Sequence, residues 1–165
     1  MKAVVRALLI AFVIGAAGQV MTAHDADARF RVGNWTGNAF YSKGRFSHCR
    51  IWVGYRSGIT LNFAQFASYN LFIGLSRPNW NLVPNGRYQM TMIIDGRVVR
   101  SARGIVLNSN RTRLWLPLGR DTHARDRLRR GFRLTLTNGR QRYKFDLTAT
   151  SAALARLQQC VQFQG

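Results

Sequence analysis

Glutamate is missing altogether, and acid of any kind is scarce: 6 acidic residues, all aspartate, stand against 25 basic ones, for a formal net charge of +19. A glycosidase built on two opposed carboxylates is hard to assemble from that supply. Lysine is almost as rare, with only Lys2, Lys43 and Lys144, so nearly every cation is arginine. A GC-rich genome would account for arginine in place of lysine, but not for the missing acids. Cysteine occurs twice, at Cys49 and Cys160, with no CxxC pairing of the kind a zinc site shows. There is no GxSxG elbow for a serine hydrolase. After the first residues no apolar run approaches the about 20 residues of a membrane helix. Repeats and low-complexity tracts are absent too, which excludes solenoids and propellers.

What is present begins with an export signal. Lys2 and Arg6 make a positive start, Ala7 to Ala17 is an uncharged apolar run, and small and polar residues follow. The run is too short to span a bilayer, so the pattern predicts a signal peptide over residues 1–23, with cleavage between 23 and 28. The mature part, 29–165, is then a single domain of about 140 residues. Losing Lys2 and Arg6 leaves 23 basic residues against 6 acidic, +17, or against 4, +19, if Asp25 and Asp27 are removed as well. Self-repulsion at this charge opposes compaction, and an anionic partner is its simplest compensation. The predicted location is periplasmic or secreted. In such an oxidising compartment an isolated pair of cysteines forms one disulfide, here Cys49 with Cys160.

The mature chain reads as around nine short strands with turn signals between them. Residues 34–41 form a first strand, with Gly37 as a bulge. Residues 46–55 and 58–66 form a hairpin turning at Arg56-Ser57-Gly58. Residues 69–75 form another strand, and 78–86, with Pro78 and Pro84, no central strand. Asp95-Gly96 marks a two-residue turn within 87–103. Residues 105–107 and 111–116 form two short strands across Ser109-Asn110. Asp121 to Arg130 is a helix, capped by Asp121 or Thr122 and stopped by Gly131. An Asn138-Gly139 hairpin follows, and the chain closes in a helix over TSAALARLQQCVQF with Leu154, Leu157 and Val161 on one face. The fold class is mostly β: a single antiparallel β-sandwich or partly closed barrel with one or two short helices.

Several of these segments occur together in a known group. Trp35-Thr36-Gly37, GRFSHC (44–49), YRSGI (55–59), Trp80 and the closing TSAALARLQQC resemble a family of exported bacterial β-domain proteins loosely similar to invasion-associated locus B proteins. The resemblance covers nearly all of the mature chain and is most specific in GRFSHC, YRSG and the final cysteine. It implies an exported β domain with its two cysteines paired, and it carries over no catalytic residue.

Candidate chemistry is sparse elsewhere. His48 adjoins Cys49, but neighbours on a strand point to opposite faces, so His48 reads as a half-buried strand residue. His123 and Asp126 share a helix face, with Asp121 nearby. They lack a further ligand, and Asp126 can pair with Arg130 instead. No cofactor or metal motif emerges, and the expectation is a non-enzymatic protein.

The arginines are the informative feature. With Asn138-Gly139 as a two-residue turn, Thr137 faces Arg140, Thr135 faces Arg142 and Arg133 faces Lys144. Leu134 with Tyr143 and Phe132 with Phe145 then form the core side. Arg133, Arg142 and Lys144, helped by Arg129 and Arg130, become the predicted anion-binding face. The alternative is a protein-interaction or structural module of the periplasm whose basic surface is merely solubilising, and an enzyme of unrecognised type comes third. Arginine grips phosphate and carboxylate in a planar, bidentate way. The partner expected is an anionic envelope component, meaning lipopolysaccharide, acidic lipid or polysaccharide, ahead of nucleic acid. Nucleic acid would call for exposed aromatics where this hairpin shows threonine.

Overall fold

The computed structural model describes residues 29–107 and 109–164. The expected signal peptide and its cleavage region lie outside these residues.

The strands run β1 (Phe30–Val32), β2 (Trp35–Ser42), β3 (Arg45–Gly54), β4 (Thr60–Phe66), β5 (Leu71–Ser76), β6 (Arg87–Ile94), β7 (Arg97–Ile105) and β8 (Arg113–Gly119). Helix α1 (Thr122–Arg130), strands β9 (Arg133–Thr137) and β10 (Arg142–Asp146) and helix α2 (Thr150–Gln164) complete the chain. All strands join one antiparallel sheet in the order β1-β2-β3-β4-β5-β8-β7-β6-β9-β10. The sheet stays open but coils enough to bring the end of β3 and the start of β2 against β10 and the residues that follow it. Tyr55, just past β3, packs edge-on against Phe145 of β10 at 5.0 Å and donates its hydroxyl to the Asp146 carbonyl at 2.5 Å. The Trp35 indole N–H donates to the Thr148 carbonyl at 3.3 Å. This mostly β, sandwich-like architecture is the expected class.

Alternation of side chains explains the core. Cys49 and Ile51, Leu61 and Phe63, Leu71 and Ile73, and Leu114 and Leu116 point inward from four successive strands of the sheet. Helix α2 covers that face with Ala153, Leu154, Leu157 and Val161, all buried. The Cys49–Cys160 disulfide ties it to β3, with Cα atoms 6.2 Å apart across 111 residues of sequence. The Cys pairing expected from sequence is therefore present. Asp121 is the cap of α1, accepting from the Ala124 N–H at 2.9 Å and held in turn by Arg100 at 2.7 Å.

Three local expectations need correction. Gly37 sits in regular register opposite Ile51, and the irregularity falls between Phe40 and Tyr41. What Gly37 provides is space, because a Cβ there would lie 2.2 Å from the Phe30 ring. Residues 105–107 are not a separate strand: Ile105 is the end of β7 and pairs with Trp115. Gly131 ends α1 as expected, at an ordinary φ of −79°, and its missing side chain admits Ile94, which a Cβ would meet at 2.4 Å.

The third correction concerns the last hairpin. Arg142 pairs with Thr137, Lys144 with Thr135, Phe145 with Leu134 and Asp146 with Arg133, a shift of two residues from the expected register. The Asn138 side-chain oxygen accepts from the backbone N–H groups of Arg140 and Gln141, at 3.1 and 2.7 Å. That Asx-type bonding spreads the turn over residues 138–141 in place of two. Arg133 thus faces an acid, not Lys144, and Phe132 lies 82% exposed, outside the core.

Candidate functional sites on two faces of the sheet

A shift of two residues preserves the alternation of faces. Arg133, Arg142 and Lys144 therefore still share the side of the hairpin away from Leu134, Leu136 and Phe145. Register places Ile93, Thr135 and Lys144 in one row across β6, β9 and β10. Arg133, Arg142 and Lys144 line a shallow hollow of about 360 Å³ with Ile93, Gly96 and Thr135, and no acid lines it. The direct opposition of like charges inferred from sequence is absent, since Lys144 stands diagonal to Arg133.

Arg129 and Arg130 do not line that hollow. Arg130 reaches Asp126 at 3.8 Å, one turn back on α1, in the pairing read from the sequence. Asp146 is engaged as well. The hydroxyl and backbone N–H of Thr148, and then the charge of Arg133, hold its carboxyl below the usual range. Asp95, in the β6–β7 turn, accepts from the backbone N–H groups of Phe132 and Arg133, at 3.1 and 2.8 Å. Two ion pairs, Arg100–Asp121 and Arg130–Asp126, are present among the described residues. His123 and Asp126 are both exposed on α1, and no group of three potential metal ligands occurs among the described residues.

A second site escaped the sequence reading. On the outer face of β3, β4, β5 and β8 a cavity of about 380 Å³ is lined by His48, Arg50, Ala64, Phe66, Phe72 and Trp115, with Arg113, Ile105, Leu107, Ser109 and Asn110 at its rim. Its construction follows the register: Arg50 opposes Ala64, Ala64 opposes Phe72, and Gly74 opposes Trp115. Gly74 is needed there, because a Cβ would lie 2.6 Å from the indole of Trp115. Buried Asn62 is satisfied between strands, donating to the carbonyls of Thr60 and Gly74 at 3.2 and 3.4 Å.

The cations of this cavity are clamped by aromatic rings. The Arg50 guanidinium lies 4.3 Å from the Phe40 ring centre and 5.3 Å from that of Trp52, and Arg113 lies 5.6 Å from that of Trp115. His48 is stacked between Phe40 and Phe66, at 5.0 Å from each. Burial, with the neighbouring charge of Arg113, brings Arg50 down to about 10, and burial lowers Arg113 as well. Burial first, then Arg50 and Arg113, depresses His48 to about 4, so its ring is neutral at physiological pH. The Nε–H groups of both arginines are covered and donate to nothing. The sequence held a signal for this site: Arg50-Ile51-Trp52 and Arg113-Leu114-Trp115 repeat one pattern on two strands.

Comparison with known proteins supports the architecture. No protein-family model matches the chain, and no curated protein matches it either. Among solved structures, that of invasion-associated protein B from Bartonella henselae is similar. The match has a TM-score of 0.57 at 15% identity and covers 83% of this chain and 99% of that one. The two share a fold. This is the likeness that the GRFSHC and YRSGI segments suggested.

Proposed function

We propose that the chain is an exported, non-enzymatic β domain that binds an anionic component of the cell envelope or its surroundings through the β9–β10 hairpin. The observation that carries the reading is the hollow in which Arg133, Arg142 and Lys144 converge with no acid among its lining residues. Export is supported by the apolar start of the chain and by the disulfide, which persists in oxidising compartments. Among the described residues no helix is long and apolar enough to cross a membrane. Lipopolysaccharide, acidic lipid or acidic polysaccharide suits the hollow better than nucleic acid, because its lining holds no aromatic ring on which a base could stack.

The test is a variant carrying Arg133→Ser, Arg142→Ser and Lys144→Ser, compared with wild type on lipopolysaccharide, heparin and DNA. Most of the positive charge remains in the variant, so a general charge effect costs it little, whereas a local site costs it at least tenfold in affinity. A variant that binds all three polymers like wild type reduces the hairpin to a solubilising surface. So does a wild type that binds none of them at physiological salt.

A further inference from the structure

The cavity on β3, β4, β5 and β8 lies apart from the hairpin hollow and shares no lining residue with it. One of its features is costly without a ligand. Arg50 and Arg113 are half-buried, and no aspartate lines the cavity to offset them. Aromatic rings stand over the guanidiniums of Arg50 and Arg113 and each Nε is covered, which leaves the terminal Nη edge of each for a ligand in the cavity. Such an edge complements a carboxylate or phosphate with two parallel hydrogen bonds.

The remainder of the cavity is apolar. Ala64, Phe66 and Phe72 form its floor, and Ile105 and Leu107 stand at its rim, 38% and 51% exposed. A flat aromatic ligand finds few open ring faces, since Phe40, Phe66, Trp52 and Trp115 already stack on His48 or on the arginines. A flexible aliphatic chain suits the surface that is left. A polyanion does not, because it would lay charge across this apolar floor. We infer that the cavity is a binding site for an amphiphilic anion, a carboxylate or phosphate head held between Arg50 and Arg113 with its acyl chain on the Ala64–Phe72 floor.

The experiment is calorimetric titration of the folded, disulfide-bonded protein, with tryptophan fluorescence reporting from Trp52 and Trp115. The probes, below their micellar concentrations, are dodecyl phosphate, dodecanoate, a lysophosphatidic acid, uncharged decyl maltoside and inorganic phosphate. Dodecyl phosphate should bind at least tenfold more tightly than either inorganic phosphate or the maltoside. The ratio of dodecanoate to lysophosphatidic acid separates a free acyl carboxylate from a lipid headgroup as the source of the anion. Joint Arg50→Gln and Arg113→Gln substitution should weaken dodecyl phosphate at least tenfold and leave the maltoside unchanged. Removing the same charge at exposed Arg87 and Arg140 should change neither. Leu107→Ser, at an exposed rim position that folding tolerates, should weaken dodecyl phosphate several-fold and spare inorganic phosphate. Inorganic phosphate or maltoside binding as tightly as dodecyl phosphate overturns the assignment, and so does full affinity in the Arg50/Arg113 variant.

Discussion

The outer face of β9–β10 and the outer face of β3, β4, β5 and β8 both gather cations away from acid, but on different terms. At the hairpin Arg133, Arg142 and Lys144 are exposed, and water already solvates them. In the cavity Arg50 and Arg113 are half-buried, stacked on aromatic rings, with a donor on each left over. Exposed charges cost a fold little and are screened by salt, whereas partly buried ones are costly and screened much less. The contrast separates a surface that attracts long anions through its field from a site built to grip one anionic group.

Salt should produce the largest measurable difference. If three phosphates are neutralised at the hairpin, polymer affinity should fall by tens-fold between about 50 and 200 mM salt, taking a logarithmic slope of about 0.9 per contact. Dodecyl phosphate in the cavity should lose no more than about threefold over the same range, because the contact is shielded from solvent. Parallel titrations of the two ligands check this. Equal slopes would erase the distinction.

Stability offers a second contrast. Arg113→Met, or Arg50→Met, keeps much of the side chain's length and removes an unpaired half-buried charge. The loss of stacking on Trp115 or Phe40 costs about 0.5 to 1 kcal/mol. Relief of desolvation outweighs it, so a net gain of about 1 kcal/mol and a rise of a few degrees in Tm are expected. Arg142→Met at the exposed hairpin should stay within about 0.5 kcal/mol of wild type. Thermal unfolding of the three variants decides between these outcomes. A fall in Tm for the cavity variants would make their arginines structural.

The two xG hairpins show why only part of this was legible. Asp95 and Gly96 both take positive φ, +48° and +80°, and form the two-residue turn that the DG signal predicts. At Asn138-Gly139 only Gly139 does so, at +88°, because the Asn138 side chain bonds to the backbone N–H groups of Arg140 and Gln141. Sequence pattern does not decide that competition. Its outcome moved Arg133 from Lys144 to Asp146, although alternation still placed Arg133, Arg142 and Lys144 on one face. Phe132 misled for a related reason. Its apolar character suggested core, yet Asp95 takes its backbone N–H and the side chain is left outside. The cavity was hidden by topology. Alternation puts His48, Arg50 and Trp52 opposite Cys49 and Ile51, and Arg113 and Trp115 opposite Leu114. It does not reveal that β5 lies beside β8 across a long stretch of chain, which is what unites the two Arg-x-Trp pairs.

The smallest expected effect is in pH, and it belongs to the cavity, since no histidine lines the hairpin hollow. Burial and the charges of Arg50 and Arg113 hold His48 at about 4, against 6.5 for a free imidazole. Above about pH 6.5 the ring is neutral whether the chain is folded or not, and it contributes no pH dependence. As pH falls from 6.5 toward 4, the unfolded chain takes up a proton that the folded one refuses, so stability is lost across that window. Because the ring keeps some contact with solvent, the loss by pH 5.5 should be under about 1 kcal/mol. His48→Phe keeps the stack between Phe40 and Phe66 and removes the titration. Urea midpoints for wild type and variant at pH 7 and 5.5 isolate the difference, because the two proteins differ at that one side chain. The variant should hold more of its stability at pH 5.5. An anionic head bound between Arg50 and Arg113 would offset the charges that help depress His48, so saturating dodecyl phosphate should shrink the wild-type loss further. A loss of the same size in wild type and variant would mean that His48 is better solvated than its stacked position implies, and with it the cavity floor.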